Sequence, residues 1–333
     1  MREDHPTKGI IFFSLAILVL ALCMWSGTAG LRMENPEEKK ESEKSREKIV
    51  IGCTLASEQS NYQEELGNLM SQISEKDDSY VLDVQYAQWN VATQEEQMHR
   101  FIREDVDAII ICPVNAKSFL NVLKEARAAE IPVINLNMKV DMASSEYVTA
   151  YVGASMSEEA EMAAALAIDY FDGKKGKIAI IEGLPGSDPQ IYRTQAFLET
   201  LKSQPNLEVV GIANGEWKKE KAAEAARELL QKTPDIDMIY CHDNYMSQGV
   251  YQVLEDMGLK EQVKVIGISG AADHLKAIRD GLLYGLVTQP PEYEAAYALE
   301  CAKKAAMGEK LRFWYKNMVE VVTIRNVEEY LEP

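Results

Sequence analysis

The chain has 333 residues, with 35 Lys and Arg against 53 Asp and Glu, for a formal net charge of -18. That length implies about two lobes rather than one ordinary domain, and a chain that is 47% hydrophobic and 26% charged is not wholly disordered. The acidic balance excludes most nucleic-acid partners, because phosphate backbones are gripped by concentrated Lys and Arg.

The first element is apolar. Gly9 to Leu31 runs 23 residues without a charge, which is enough to span a bilayer (about 20 residues) and exceeds the ~7–15-residue core of a signal peptide. Arg2 and Lys8 precede it, so counting Lys and Arg places the amino terminus in the cytoplasm and everything after Arg32 outside. Three fates stay open: a retained anchor, cleavage after Ala29 behind the small residues Gly27 and Thr28, or lipidation at Cys23. Leu22 is larger than the residue that normally precedes a lipidated cysteine. Residues 1–31 are thus read as a membrane anchor or signal segment, and 32–48 as a charged linker. Glu34 to Lys48 holds eleven charged residues of both signs in fifteen, with no apolar stripe.

From Ile49 the chain alternates short apolar runs with amphipathic stretches. The pattern predicts strands at Ile49–Leu55, Val81–Gln85, Ala108–Cys112 and Pro132–Leu136, with helices at Tyr62–Ile73, Gln94–Arg103 and Ala116–Ala129. The second half repeats the style. Its strands are predicted at Lys177–Ile181, Leu207–Ile212, Met238–Cys241 and Val263–Ile268. Its helices are predicted at Ile191–Leu201, Glu220–Gln231, Met246–Met257 and Asp273–Arg279. Alternating βα units imply an α/β fold of two lobes, each a parallel sheet flanked by helices. The five cysteines, at 23, 53, 112, 241 and 301, are odd in number and lack CxxC spacing, so they read as small buried hydrophobes.

Ligands of open α/β sheets bind beyond the carboxyl ends of the strands. That rule singles out the Ser57–Gln63 loop with Ser60, Tyr62 and Gln63, then Asn137, the Gly183–Arg193 loop, Asp243, Ser269 and Gln289. Catalytic motifs are missing: the sequence has no GxSxG, HExxH, GxxxxGK or GxGxxG. The four histidines lack ligand spacing, and His242 reads as a hydrogen-bonded wall residue. Gly183-Leu-Pro-Gly186-Ser187 is either an anion-binding turn or a plain strand-to-helix turn. No enzyme activity, metal or cofactor is expected.

Asp107–Pro113, Ala129–Asn137, Arg193–Phe197, Asp237–Gly249, Val265–Gly270, Val287–Gln289 and Val322–Val327 together resemble the type I periplasmic binding proteins, and within them the ribose-binding group. The resemblance runs from about Lys48 to the carboxyl terminus. It implies two interwoven lobes, 49–153 with 290–318 and 154–289 with 319–333, joined by three hinge crossings around a ligand cleft. It also implies that Tyr62 and Trp217 stack on a sugar, that Arg193 forks onto ligand oxygens, and that Gln289 reads the ligand from the hinge. Helix capping or a pair with Glu182 is the alternative role for Arg193.

The sequence departs from the family at several points. Gln63 stands where a further aromatic is usual, Asn137-Met138 replaces an Asp-Arg pair, and Ser269 replaces an aspartate. Asp243-Asn244 reverses the usual Asn-Asp. Ordinary ribose is therefore disfavoured, and another pentose, a hexose, a polyol or a sugar-derived signal stays open. The function implied is an extracytoplasmic solute receptor that delivers a sugar-like ligand to the permease of an ABC importer. The alternative is a membrane-tethered sensor whose closure is read by a histidine kinase.

Overall fold

The computed structural model describes residues 48–269 and 272–331. The expected anchor or signal segment, and the linker up to Glu47, lie outside the described residues. Among those that are described, no helix is long and apolar enough to cross a membrane.

The first sheet is built from β1 (Ile49–Leu55), β2 (Tyr80–Tyr86), β3 (Ala108–Ile111), β4 (Val133–Leu136), β5 (Ala150–Gly153) and β11 (Trp314–Lys316). Its order is β11-β5-β4-β3-β1-β2, with every pairing parallel. Around it lie α1 (Asn61–Ser74), α2 (Val91–Arg103), α3 (Leu120–Ala128), the short α4 (Met142–Ser145) and α10 (Pro291–Ala306). β3 reads Ala-Ile-Ile-Ile and is wholly buried, as a parallel strand covered on both faces must be.

The second sheet repeats the plan with β6 (Gly176–Glu182), β7 (Leu207–Asn214), β8 (Met238–Cys241), β9 (Lys264–Ile268), β10 (Gly285–Val287) and β12 (Val321–Thr323). Its order, β12-β10-β9-β8-β6-β7, matches that of the first sheet strand for strand. One departure from the expected parallel sheet is β12, which pairs antiparallel with β10. The helices here are α5 (Met156–Phe171), α6 (Asp188–Leu201), α7 (Lys219–Lys232), α8 (Asn244–Asp256), α9 (Ala272–Arg279) and α11 (Glu328–Leu331).

The chain passes between the sheets three times, after β5, after β10 and after β11. α10 follows a strand of the second sheet yet puts Ala295, Ala298, Leu299, Cys301 and Ala302 into the core of the first. The described cysteines, Cys53, Cys112, Cys241 and Cys301, are buried and unpaired.

Four strands and two long helices escape the sequence pattern. β10, β11 and β12 are only three residues long, and β5, Ala-Tyr-Val-Gly, lacks the run of branched apolar residues that marks the equally short β3. α5 buries Ala160, Ala163, Ala164 and Ala167 at helical spacing, but exposed Ala165 and half-buried Met162 and Ile168 make 162–168 one apolar run, so no narrow stripe stands out in the sequence. α10 is alanine-rich in the same way, although Pro at its first turn marks its start.

Candidate functional site

In both sheets the first strand (β1 or β6) lies between the second and third, so the connections leave in opposite directions on either side of it and open a crevice at the strand ends. There the two lobes line a shared pocket with the mix of aromatic walls and a few convergent polar groups that small-ligand sites take. All nine residues singled out in the sequence, Ser60, Tyr62, Gln63, Asn137, Arg193, Trp217, Asp243, Ser269 and Gln289, line it. Trp89, Met138, Pro189, Tyr245 and Ile268 complete the wall. The lobes touch beside it, where the Lys139 backbone N–H donates to Asp188 Oδ2 at 3.2 Å.

Two tryptophans face the cavity from related positions. Trp89 follows the last residue of β2 by three, and Trp217 follows the last residue of β7 by three. Each ends a pair of left-handed residues: Gln88 and Trp89 have φ of 55° and 57°, Glu216 and Trp217 of 52° and 60°. Left-handed backbone costs an L-residue about 1–2 kcal/mol, and such strain is retained mostly where function over-determines it. Gly183 makes room for the second indole, since a Cβ there would sit 1.8 Å from the Trp217 ring. Trp89 packs against apolar side chains of both lobes. The strand-end rule, applied to β2, would have found Trp89 in the sequence; it was missed because a polar turn surrounds it.

Arg193 is 3% exposed, and its fork is already engaged. Nε and Nη2 both donate to Glu159 Oε2, at 2.9 and 2.7 Å. Nη1 donates to the His242 carbonyl at 2.5 Å, and Nη2 also reaches Gln289 Oε1 at 3.2 Å. The carboxylate partner is therefore Glu159 and not Glu182, which instead accepts from Thr194 and Gln190. Burial pushes the Glu159 carboxyl up, and the adjacent Arg193 charge opposes that push. Burial pulls the Arg193 guanidinium down, but the Glu159 charge and hydrogen bond, together with Tyr240 and Asp243, more than offset it and leave the group raised and protonated.

Asn137 is similarly wired. It takes the left-handed conformation that Asn tolerates, at φ 57°. Its Nδ2 donates to Glu294 Oε2 at 2.8 Å, and its Oδ1 accepts from Gln63 Nε2 at 3.3 Å. Glu294 is fully buried and also accepts from Asn317 at 3.2 Å. Burial raises its carboxyl to about 7 against the pull of Asn317 and Asn137. The Tyr62 hydroxyl lies near Glu294 without meeting hydrogen-bond geometry. Sequence reasoning missed both buried acids. Glu294 looks like an ordinary first-turn acid of α10. Glu159 sits beside a legible helix start, where Ser155 Oγ accepts from the Glu158 backbone N–H at 3.3 Å.

The other residues divide between scaffold and open capacity. Asp243 caps α8 by accepting the Met246 N–H at 2.7 Å, and burial lifts its carboxyl to about 6. Asn244 turns away and is buried against Gly267. Ser269 Oγ meets His274 Nδ1 at 2.8 Å. His242, expected on the wall, is fully buried and does not line the cavity; Thr194 Oγ1 lies 3.2 Å from its Nε2 and the Gly183 N–H is on its Nδ1. In the Gly183–Ser187 turn, Gly186 N–H donates to Gln190 Oε1 and Ser187 Oγ to the Leu184 carbonyl, which makes it a strand-to-helix turn. Four cavity-wall side chains keep buried polar atoms without a protein partner: Tyr62 Oη, Gln63 Oε1, Trp217 Nε1 and Gln289 Nε2. Such atoms are costly unless something else bonds them.

A family model for the periplasmic binding protein domain matches residues 51–310. The galactofuranose-binding protein of Escherichia coli K12 is 28% identical over 271 residues, covering 79% of this chain and 85% of the relative. The ribose import binding protein of Bacillus subtilis 168 is 25% identical over 302 residues, covering 91% of this chain and 94% of the relative. Among solved structures, an ABC transporter solute binding protein from Bacillus halodurans C-125 with bound myo-inositol aligns with a TM-score of 0.80. It is 26% identical, and the alignment covers 85% of this chain and 97% of that one.

Proposed function

The chain belongs to the periplasmic binding protein domain family, in its type I, ribose-binding-like group, and on that premise we propose that it is an extracytoplasmic receptor for a sugar or sugar-like ligand. The observation that carries the reading is the cavity wall itself: indoles from both lobes, with unpartnered donors and acceptors between them. A ring face packs on the C–H side of a carbohydrate while amides and hydroxyls read its hydroxyl groups. Residues 49–153 with 290–318, and 154–289 with 319–333, are taken as the two lobes. The ligand prefers the closed arrangement and shifts its population; hinge closure around a bound ligand is the general movement of periplasmic binding proteins.

The closed receptor hands its ligand to the membrane permease of an ABC importer. Residues 1–31 hold it at the membrane, or direct export if they are removed. Mass spectrometry of the native amino terminus distinguishes retention, cleavage and lipidation. The ligand class is tested with a panel of pentoses, hexoses and polyols, followed by tryptophan fluorescence and melting temperature. A response to amino acids or nucleosides with none to the carbohydrates overturns the sugar reading. Adjacent permease and ATPase genes support the importer, whereas a sensor-kinase gene without a permease transfers the protein to the tethered-sensor role.

A further inference from the structure

Arg193 lines the ligand cavity, yet its two-pronged face is spent inside the protein. Of its five N–H groups, those on Nε and Nη2 serve Glu159 and Gln289, and one on Nη1 serves the His242 carbonyl. A carboxylate or phosphate entering the cavity finds no free fork to grip in two places, which is the arrangement that makes arginine selective for such anions. Among the described residues no other Lys or Arg lines the cavity. Lys139, within electrostatic reach of Glu159 and Asp188, lies over the Tyr151 and Trp314 rings at 4.6 and 4.8 Å, and neither ring borders the cavity. The other charged group on the wall is an acid, Asp243, and Glu294 stands behind Asn137.

We propose that Glu159 sets the charge class of the ligand: by occupying the Arg193 fork, it confines the cleft to uncharged carbohydrates and shuts out sugar acids and sugar phosphates. The inference rests on the receptor reading above and adds to it a residue that never touches the ligand. Glu159 is fully buried on the first turn of α5, and its second oxygen, Oε1, has no hydrogen-bond partner, so the carboxylate is committed to one task. Removing its charge while keeping its shape takes away the guanidinium's hydrogen-bonded counter-charge and leaves Asp243 as the remaining acid beside it on the cavity wall.

The test compares full-length wild type, Glu159→Gln, and the double variant Glu159→Gln with Arg193→Gln. Each is titrated calorimetrically with the best neutral carbohydrate of the panel, the uronate or aldonate of the same sugar, and its phosphate ester. Wild type should bind the neutral compound at least 100-fold more tightly than either anion. Glu159→Gln should narrow that gap at least tenfold by gaining affinity for the anions, and the double variant should restore the exclusion. An unchanged ratio in Glu159→Gln, or wild-type binding of an anion within tenfold of the neutral parent, overturns the charge rule while leaving the receptor reading intact. The wild-type ratio decides by itself if Glu159→Gln does not fold. Failure of every carbohydrate, neutral or anionic, to bind wild type removes the receptor reading and this inference with it.

Discussion

Replacing Glu294 with Gln should change the pH dependence of stability more than stability itself. Glu294 is fully buried, and burial raises its carboxyl from 4.5 to about 7. Between those values the folded protein keeps a proton that the unfolded chain releases. The contribution of this group is therefore fully present below about pH 4.5 and is lost as pH rises through about 7. A rise of about 2.5 pH units at ~1.4 kcal/mol each gives a cost of about 3 kcal/mol at pH 8.5, when the carboxylate must ionise in place. Glutamine copies the neutral acid, with one acceptor for the Asn137 or Asn317 amide and no proton to lose. Urea denaturation followed by circular dichroism should be run on both proteins from pH 5 to 8.5. The difference, variant minus wild type, should be small at pH 5 and move by about 3 kcal/mol in the variant's favour by pH 8.5. Asp243 and Asp188 titrate in both proteins and drop out of the difference. Parallel profiles would refute the reasoning, because they would mean that Glu294 is ionised in the folded protein at no cost.

Two glycines offer further checks with different readouts. Gly183→Ala places a methyl where the Trp217 ring lies, 1.8 Å from the built Cβ. The fold should survive while the indole moves, with a shifted tryptophan emission and a ligand affinity lowered about tenfold, roughly 1.4 kcal/mol; unchanged affinity would remove Trp217 from the site. Gly249→Ala drives a methyl to 2.1 Å from the Lys219 carbonyl, where α8 packs on α7 away from the cavity wall. It should lower stability by about 1–3 kcal/mol with ligand affinity unchanged, and a melting temperature equal to wild type would contradict the close helix contact.

The positions of the site residues were legible in the sequence for a simple reason. A parallel strand announces its end by losing its apolar run, and the residue that follows must face the crevice. Asn137 and Asp243 follow the predicted strands β4 and β8 within two residues, and both reach the cavity; Gln289 follows β10, which the pattern does not reveal, and its role at the cavity comes from the resemblance. Their partners were not legible. Glu159 and Glu294 lie in helix first turns, where an acid is ordinary on a solvated face, and only the packing of the hinge crossings turns them inward. The resemblance placed Arg193 at the ligand, but the fork's internal carboxylate comes from an alanine-rich helix that periodicity did not reveal. Trp89 was hidden differently: it stands between Gln88 and Asn90 in a polar turn, and its reach across to the second lobe depends on two left-handed residues.

Small-angle X-ray scattering of the protein with and without the carbohydrate that binds tests the central claim most directly. Ligand-driven closure of two hinged lobes predicts a smaller radius of gyration at saturating ligand, with Tyr62→Ala and Trp217→Ala each requiring more ligand for the same compaction. A carbohydrate that binds stoichiometrically and leaves the scattering of an open, ligand-free protein unchanged would contradict it.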